Sequence, residues 1–104
     1  MPLAILKDVP ETLEISDKRY NTLLSLQRRR NGDYFIKLVF RELSNEQANE
    51  LKYLTKFPQS VTVVSALLNT VYGISTIVVT RNEKNSDTEV TWKCKCYHSQ
   101  IAEP

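Results

Sequence analysis

Glycine and histidine are scarce in this 104-residue chain, which contains two glycines and one histidine. Phosphate-binding loops need several closely spaced glycines, because their backbone amides must approach the phosphate oxygens. Gly32 and Gly73 lie too far apart to form a P-loop or a dinucleotide-binding loop. Helical zinc-protease motifs need two histidines four residues apart, and this sequence has one. We therefore expect neither class of enzyme and no cofactor.

Cysteine is also sparse, and both cysteines lie close to the histidine, as Cys94, Cys96 and His98. Thiolate and imidazole are zinc ligands, but a straight strand spreads this spacing over about 13 Å, too far for one ion. A disulfide between strand residues two apart would be strained. We therefore expect no metal, two free cysteines packed in the core, and a reducing, cytoplasmic location.

The chain has no long purely hydrophobic run. Residues 58–80 carry no charge, which is long enough to raise the question of a membrane span, but Ser, Thr, Asn and Gln are frequent among them. The first ten residues have no basic leader and are too short to contain a secretory core. We expect no membrane association, and we consider a homo-oligomer in which the uncharged stretch is covered.

The clearest secondary-structure signal is a helix over about 45–56. Ser44 and Gln47 have the spacing of a capping box, in which each side chain hydrogen-bonds to the other residue's backbone amide. Pro58 is expected to end the helix. Three apolar side chains follow the cap at helical spacing, namely Ala48, Leu51 and Leu54.

Runs of β-branched and aromatic residues predict several strands. These runs are residues 34–41, 61–64, 76–81 and 90–97. Residues 65–72 have helical spacing and predict a short second helix, whereas the polar residues 82–89 predict a hairpin loop. The predicted fold is one compact α+β domain over 1–104, with a mostly antiparallel sheet of four to five strands, one well-capped helix, and flexible termini at 1–10 and 99–104.

Residues 17–33 fit two structures. As a helix, the segment would be capped by Asp17 and would present an apolar stripe. As a hairpin, it would turn at Asn31 and Gly32, because Asn-Gly is the strongest signal for a two-residue turn. We favour the hairpin slightly, because the strand over 34–41 begins directly after this turn.

Charge is distributed unevenly, although the net charge is only +2. Residues 18–41 contain seven basic residues and one acidic residue, whereas residues 1–17 contain one basic and four acidic residues. Strand alternation over 90–97 places Trp92 and the two cysteines on one face and two lysines and a tyrosine on the other. This asymmetry indicates an anionic partner. The candidate binding residues are Arg28, Arg29, Arg30, Lys93, Lys95 and Tyr97.

In size and in its lack of catalytic motifs, the chain is similar to small accessory proteins of phages and mobile elements. We therefore expect a non-enzymatic protein-binding module, an inhibitor or regulator that contacts an acidic surface of a larger protein. The alternative is a sequence-tolerant nucleic-acid-binding protein that uses the same residues to neutralise phosphates and stack bases. A third, minor hypothesis is an enzyme that uses Cys96 or His98.

Overall fold

The computed structural model describes residues 3–53 and 59–97. These residues form six strands and one α-helix, and each strand runs antiparallel to its neighbours in a sheet of order β1-β2-β3-β6-β5-β4. The elements in chain order are β1 (Leu3–Ile15), β2 (Lys18–Arg28), β3 (Tyr34–Arg41), α1 (Asn45–Tyr53), β4 (Gln59–Thr62), a π-helical turn (Leu67–Val71), β5 (Thr76–Ser86) and β6 (Glu89–Cys96).

The core lies on one face of this sheet, which we call the inner face. Alternate residues of the central strands are buried there, as period-2 patterning requires. Trp92 and Phe40 are fully buried, with ring centroids 4.7 Å apart, and Tyr20 packs edge-on against Phe40 at 5.6 Å. Alternation along β6 also buries both cysteines, which confirms that its Trp-Cys-Cys face belongs to the core.

The sheet curls into a half-barrel whose two edges meet at one point. Glu14 in β1 forms an antiparallel bridge with Val64, just after β4, and each donates its amide to the other's carbonyl at 2.8 and 2.9 Å. Helix α1 contributes Ala48 and Leu51 to the core, and Lys52 exchanges hydrogen bonds with Asn82 in β5. The helix therefore packs on the inner face and leaves the opposite face of the sheet, which we call the outer face, uncovered.

The predicted α+β fold with four to five strands is wrong, because the protein is mostly β and its sheet has six strands. The missed strand is β1, in which register shifts near Leu6 interrupt the alternation that would have revealed it. Pro10 also argues against a strand, but β1 is an edge strand, where a missing amide donor is tolerated. Residues 3–10, predicted as part of a flexible terminus, belong to β1, and 99–104 lie outside the described residues.

For the second half of the chain, one prediction holds in its position and another is wrong. The short helix expected at 65–72 is present as a five-residue π-helical turn over Leu67–Val71. The hairpin loop expected at 82–89 is mostly strand, because β5 continues to Ser86 and only residues 87–88 form the turn. The polar composition of this end of β5 reflects its exposure rather than an irregular backbone.

Residues 17–33 form a strand and the turn of a hairpin, as favoured above, and the turn contains Asn31 and Gly32 but is longer than predicted. Ser16 and Asp17 connect β1 to β2, both with positive φ, as in a type I′ turn. The second turn has three residues rather than two: the amide of Gly32 donates to the carbonyl of Arg29, and the φ of Gly32 is 91°. A type I turn followed by glycine in this conformation is the common three-residue hairpin loop.

The capping box at the start of α1 is present. The amide of Gln47 donates to Ser44 Oγ at 3.1 Å, and the amide of Ser44 donates to Gln47 Oε1 at 2.9 Å. The predicted end of the helix at 54–56 and the role of Pro58 lie outside the described residues. Within the described ranges, no helix is long and apolar enough to cross a lipid bilayer.

Candidate functional site

A pair of lysines lies at the centre of the sheet's outer face. Lys37 in β3 is directly opposite Lys93 in β6, and both side chains are exposed. Directly opposed residues have Cβ atoms about 5 Å apart, and like charges in this arrangement destabilise a sheet. Neither lysine forms an ion pair with any residue that the structure describes. Two neighbouring positive charges thus remain unneutralised on this face.

The next outward-facing pair along the same strands is an aromatic ring opposite a lysine, and an arginine from the preceding turn lies over the same ring. Phe35 is opposite Lys95, whose ammonium lies 5.5 Å from the ring centroid. The guanidinium of Arg29 lies 4.6 Å from the same centroid. Each cation–π contact at an exposed site contributes about 0.5–1 kcal/mol and restricts the position of the charge. We call Arg29, Phe35, Lys37, Lys93 and Lys95 the basic face.

A groove of about 610 Å³ adjoins the basic face. Its outer wall is the first part of β1, which leaves regular pairing where Asp8 adopts a left-handed φ of 49° and its amide donates to Ser25 Oγ at 3.0 Å. The charged side chains that line the groove are Lys7, Lys37 and Lys93 together with Asp8. Three ammonium groups and one carboxylate give the groove a positive balance.

The structure brings together three of the six predicted site residues and separates the others. Arg29, Lys93 and Lys95 share the basic face. Arg28 is opposite Tyr34, and its guanidinium lies 5.8 Å from the centroid of the Tyr34 ring on the inner face. Arg28 is therefore on the side of the sheet away from the basic face. Arg30 is exposed in the hairpin turn. Tyr97 follows β6 and is 42% exposed.

The two cysteines sit on the inner face, away from these cations. Burial raises the pKa of the Cys94 thiol. Burial, and then the nearby Asp33 carboxylate, raise the pKa of the Cys96 thiol. Both shifts favour the neutral thiol, which is a poor nucleophile and a poor metal ligand. No group of three or more metal-ligating side chains occurs among the described residues, and His98 lies outside them.

Sequence reasoning missed Phe35, Lys37 and Lys7 as members of this region. Alternation along 34–41 places Phe35 and Lys37 on the same face, and this signal was visible in the sequence. Its significance depends on the pairing of β3 with β6, which joins segments more than 50 residues apart. Lys7 lines the groove from the irregular part of β1, which the sequence did not identify as a strand.

Comparison of the chain with models of protein families, with curated proteins and with solved structures found no match. The argument for function therefore depends on the chemistry of the site.

Proposed function

We propose that the protein is a non-enzymatic binding module, an inhibitor or regulator, that holds an acidic surface of a larger protein on its basic face. The observation that carries this proposal is the unneutralised Lys37–Lys93 pair. A cross-strand pair of like charges opposes folding, so its presence is best explained if a ligand supplies the missing carboxylates. The raised thiol pKa values of the two cysteines argue against an enzyme that uses either of them as a nucleophile.

The cations that cover the Phe35 ring favour an acidic protein over nucleic acid as the partner. Proteins that bind single strands without sequence preference stack bases on open aromatic rings. Here Arg29 and Lys95 already lie over the ring, and a base would have to displace them. Cations held in place by a ring are instead preorganised for carboxylates, and Arg29 can bind one with two hydrogen bonds.

The substitution Lys37→Glu tests the proposal with two readouts. It should raise the free energy of unfolding by about 0.2–1 kcal/mol, because an opposed Glu–Lys pair replaces an opposed Lys–Lys pair. It should also weaken binding of a fluorescent glutamate-rich peptide about tenfold or more, since attraction becomes repulsion. Denaturant titration and fluorescence anisotropy measure the two effects on the same protein sample.

Arg19→Glu is the matched control, because Arg19 is an exposed cation at the far end of β2. It makes the same charge change and should leave peptide affinity nearly unaltered at physiological salt, where exposed charges are screened beyond about 8 Å. The proposal is wrong if the wild-type protein fails to bind the peptide, or if both variants weaken it equally. Tight binding of an oligothymidine probe without peptide binding would favour the nucleic-acid alternative.

A further inference from the structure

We infer that the basic face recognises an extended acidic segment whose carboxylates occupy alternate positions, Glu-x-Glu or Asp-x-Asp. This inference rests on the proposed function and specifies the partner's chemistry. It follows from the arrangement of the four cations in two rows across β3 and β6. We call Lys37 and Lys93 the first row, and Arg29 and Lys95 the second row.

The spacing of the two rows is set by the strands that carry them. Lys37 and Phe35 are two residues apart in β3, and their partners Lys93 and Lys95 are two residues apart in β6. Strand residues two apart are separated by about 6.6–6.8 Å. A peptide in extended conformation repeats its side chains on one face at the same distance. Carboxylates at positions i and i+2 therefore match the two rows.

Each row is suited to a single carboxylate. The first row offers two ammonium groups from directly opposed residues, so one carboxylate can approach both. In the second row, Arg29 and Lys95 lie within 4.6 and 5.5 Å of one ring centroid. A segment that places one carboxylate in each row must run along β3 and β6, and its intervening side chain then points away from the sheet.

The groove beside the first row defines one side of this path. Its wall is formed by Ala4, Leu6, Lys7 and Asp8 of β1, and Lys7 adds a third ammonium group beside Lys37 and Lys93. The carboxylate of Asp8 also lines the groove. On the other side of β6, Arg81 in β5 is directly opposite Lys93, and its charge is paired with Glu83 at 3.0 Å. The first-row end of the path therefore keeps a net positive charge despite Asp8.

Three peptides of equal net charge test the spacing by fluorescence anisotropy. The first contains Glu-Val-Glu, the second contains the same residues with the glutamates adjacent, and the third is an alanine-based helix with glutamates four apart. The wild-type protein should bind the first about two- to fivefold more tightly than the second. This ratio corresponds to the free energy that one exposed ion pair contributes. In Lys95→Ala this preference should disappear, whereas Arg19→Ala should keep it.

Other outcomes separate this inference from the proposed function. Equal affinity for the first two peptides, with weakened binding in Lys37→Glu, would overturn the alternate spacing and leave the acidic partner intact. Preference for the helical peptide, in which carboxylates four apart are also about 6 Å apart, would overturn the extended conformation. Binding of none of the peptides would overturn both proposals.

Discussion

Glu11 is the side chain that holds the π-helical turn against β1. Its Oε2 accepts hydrogen bonds from Ser65 Oγ at 2.6 Å and from the amide of Leu67 at 2.9 Å. Ser65 Oγ in turn accepts from the amide of Leu68 at 3.2 Å. Bonds to a charged acceptor are about twice as strong as neutral ones. One carboxylate therefore fixes the start of this turn beside the point where the half-barrel closes.

Glu11→Ala should lower the free energy of unfolding by about 1–3 kcal/mol, because it leaves the donors of Ser65 and Leu67 without their acceptor. Glu14→Ala is the matched control, since the Glu14 carboxylate accepts no hydrogen bond from any described residue and its bridge to Val64 uses backbone atoms. Denaturant titration compares the two variants. Equal losses of stability would show that the Glu11 carboxylate has no special role.

The buried thiols make a second prediction at the scale of single residues. Cys94 is only 2% exposed, and its pKa and that of Cys96 are raised from the ordinary value of 9.0. N-ethylmaleimide should therefore label both thiols slowly at pH 8, at a rate limited by unfolding of the protein.

The same raised pKa values predict how stability depends on pH. Above about pH 9 the unfolded chain loses thiol protons that the folded chain retains, so the free energy of unfolding should fall as pH rises. Denaturant titration at several pH values measures this fall, and mass spectrometry measures the labelling. Rapid labelling of the folded protein would contradict the burial of the two thiols.

At the scale of elements, local signals were sufficient for α1 and insufficient for β1. The capping box depends on two side chains three residues apart, and both of its hydrogen bonds form. The bulged strand β1 owes its structure to pairing with β2, and its sequence alone shows no regular alternation. The Leu67–Val71 turn is stabilised partly by Glu11, more than 50 residues earlier, so helical spacing located a helical element there but not its π-helical form.

Ser44→Ala should destabilise the protein by about 0.5–2 kcal/mol, because the Gln47 amide loses its side-chain acceptor. Ser44→Asp keeps an acceptor and adds a negative charge at the helix N-terminus, so it should restore most of the lost stability. Thermal unfolding followed by circular dichroism measures both. If Ser44→Ala unfolds like the wild type, the cap contributes little to the stability of α1.

At the scale of the whole molecule, the sheet combines two charge patterns that are separate in the sequence. The basic segment 18–41 supplies Arg29 and Lys37, and the electrically balanced C-terminal part supplies Lys93 and Lys95. Three members of the basic face, Arg29, Lys93 and Lys95, could be named from the sequence, because composition and alternation are local properties. It could not predict which cations become neighbours, since that depends on the long-range pairing of β3 with β6.

The central claim is that this basic face is the binding surface, and mapping by NMR tests it most directly. A ¹⁵N-labelled sample is titrated with the Glu-Val-Glu peptide while backbone amide shifts are followed. The account predicts that the largest changes lie at 35–37 and 93–95, and that they disappear in Lys37→Glu. Changes confined to α1 or to the Leu67–Val71 turn, with residues 35–37 and 93–95 unmoved, would contradict it.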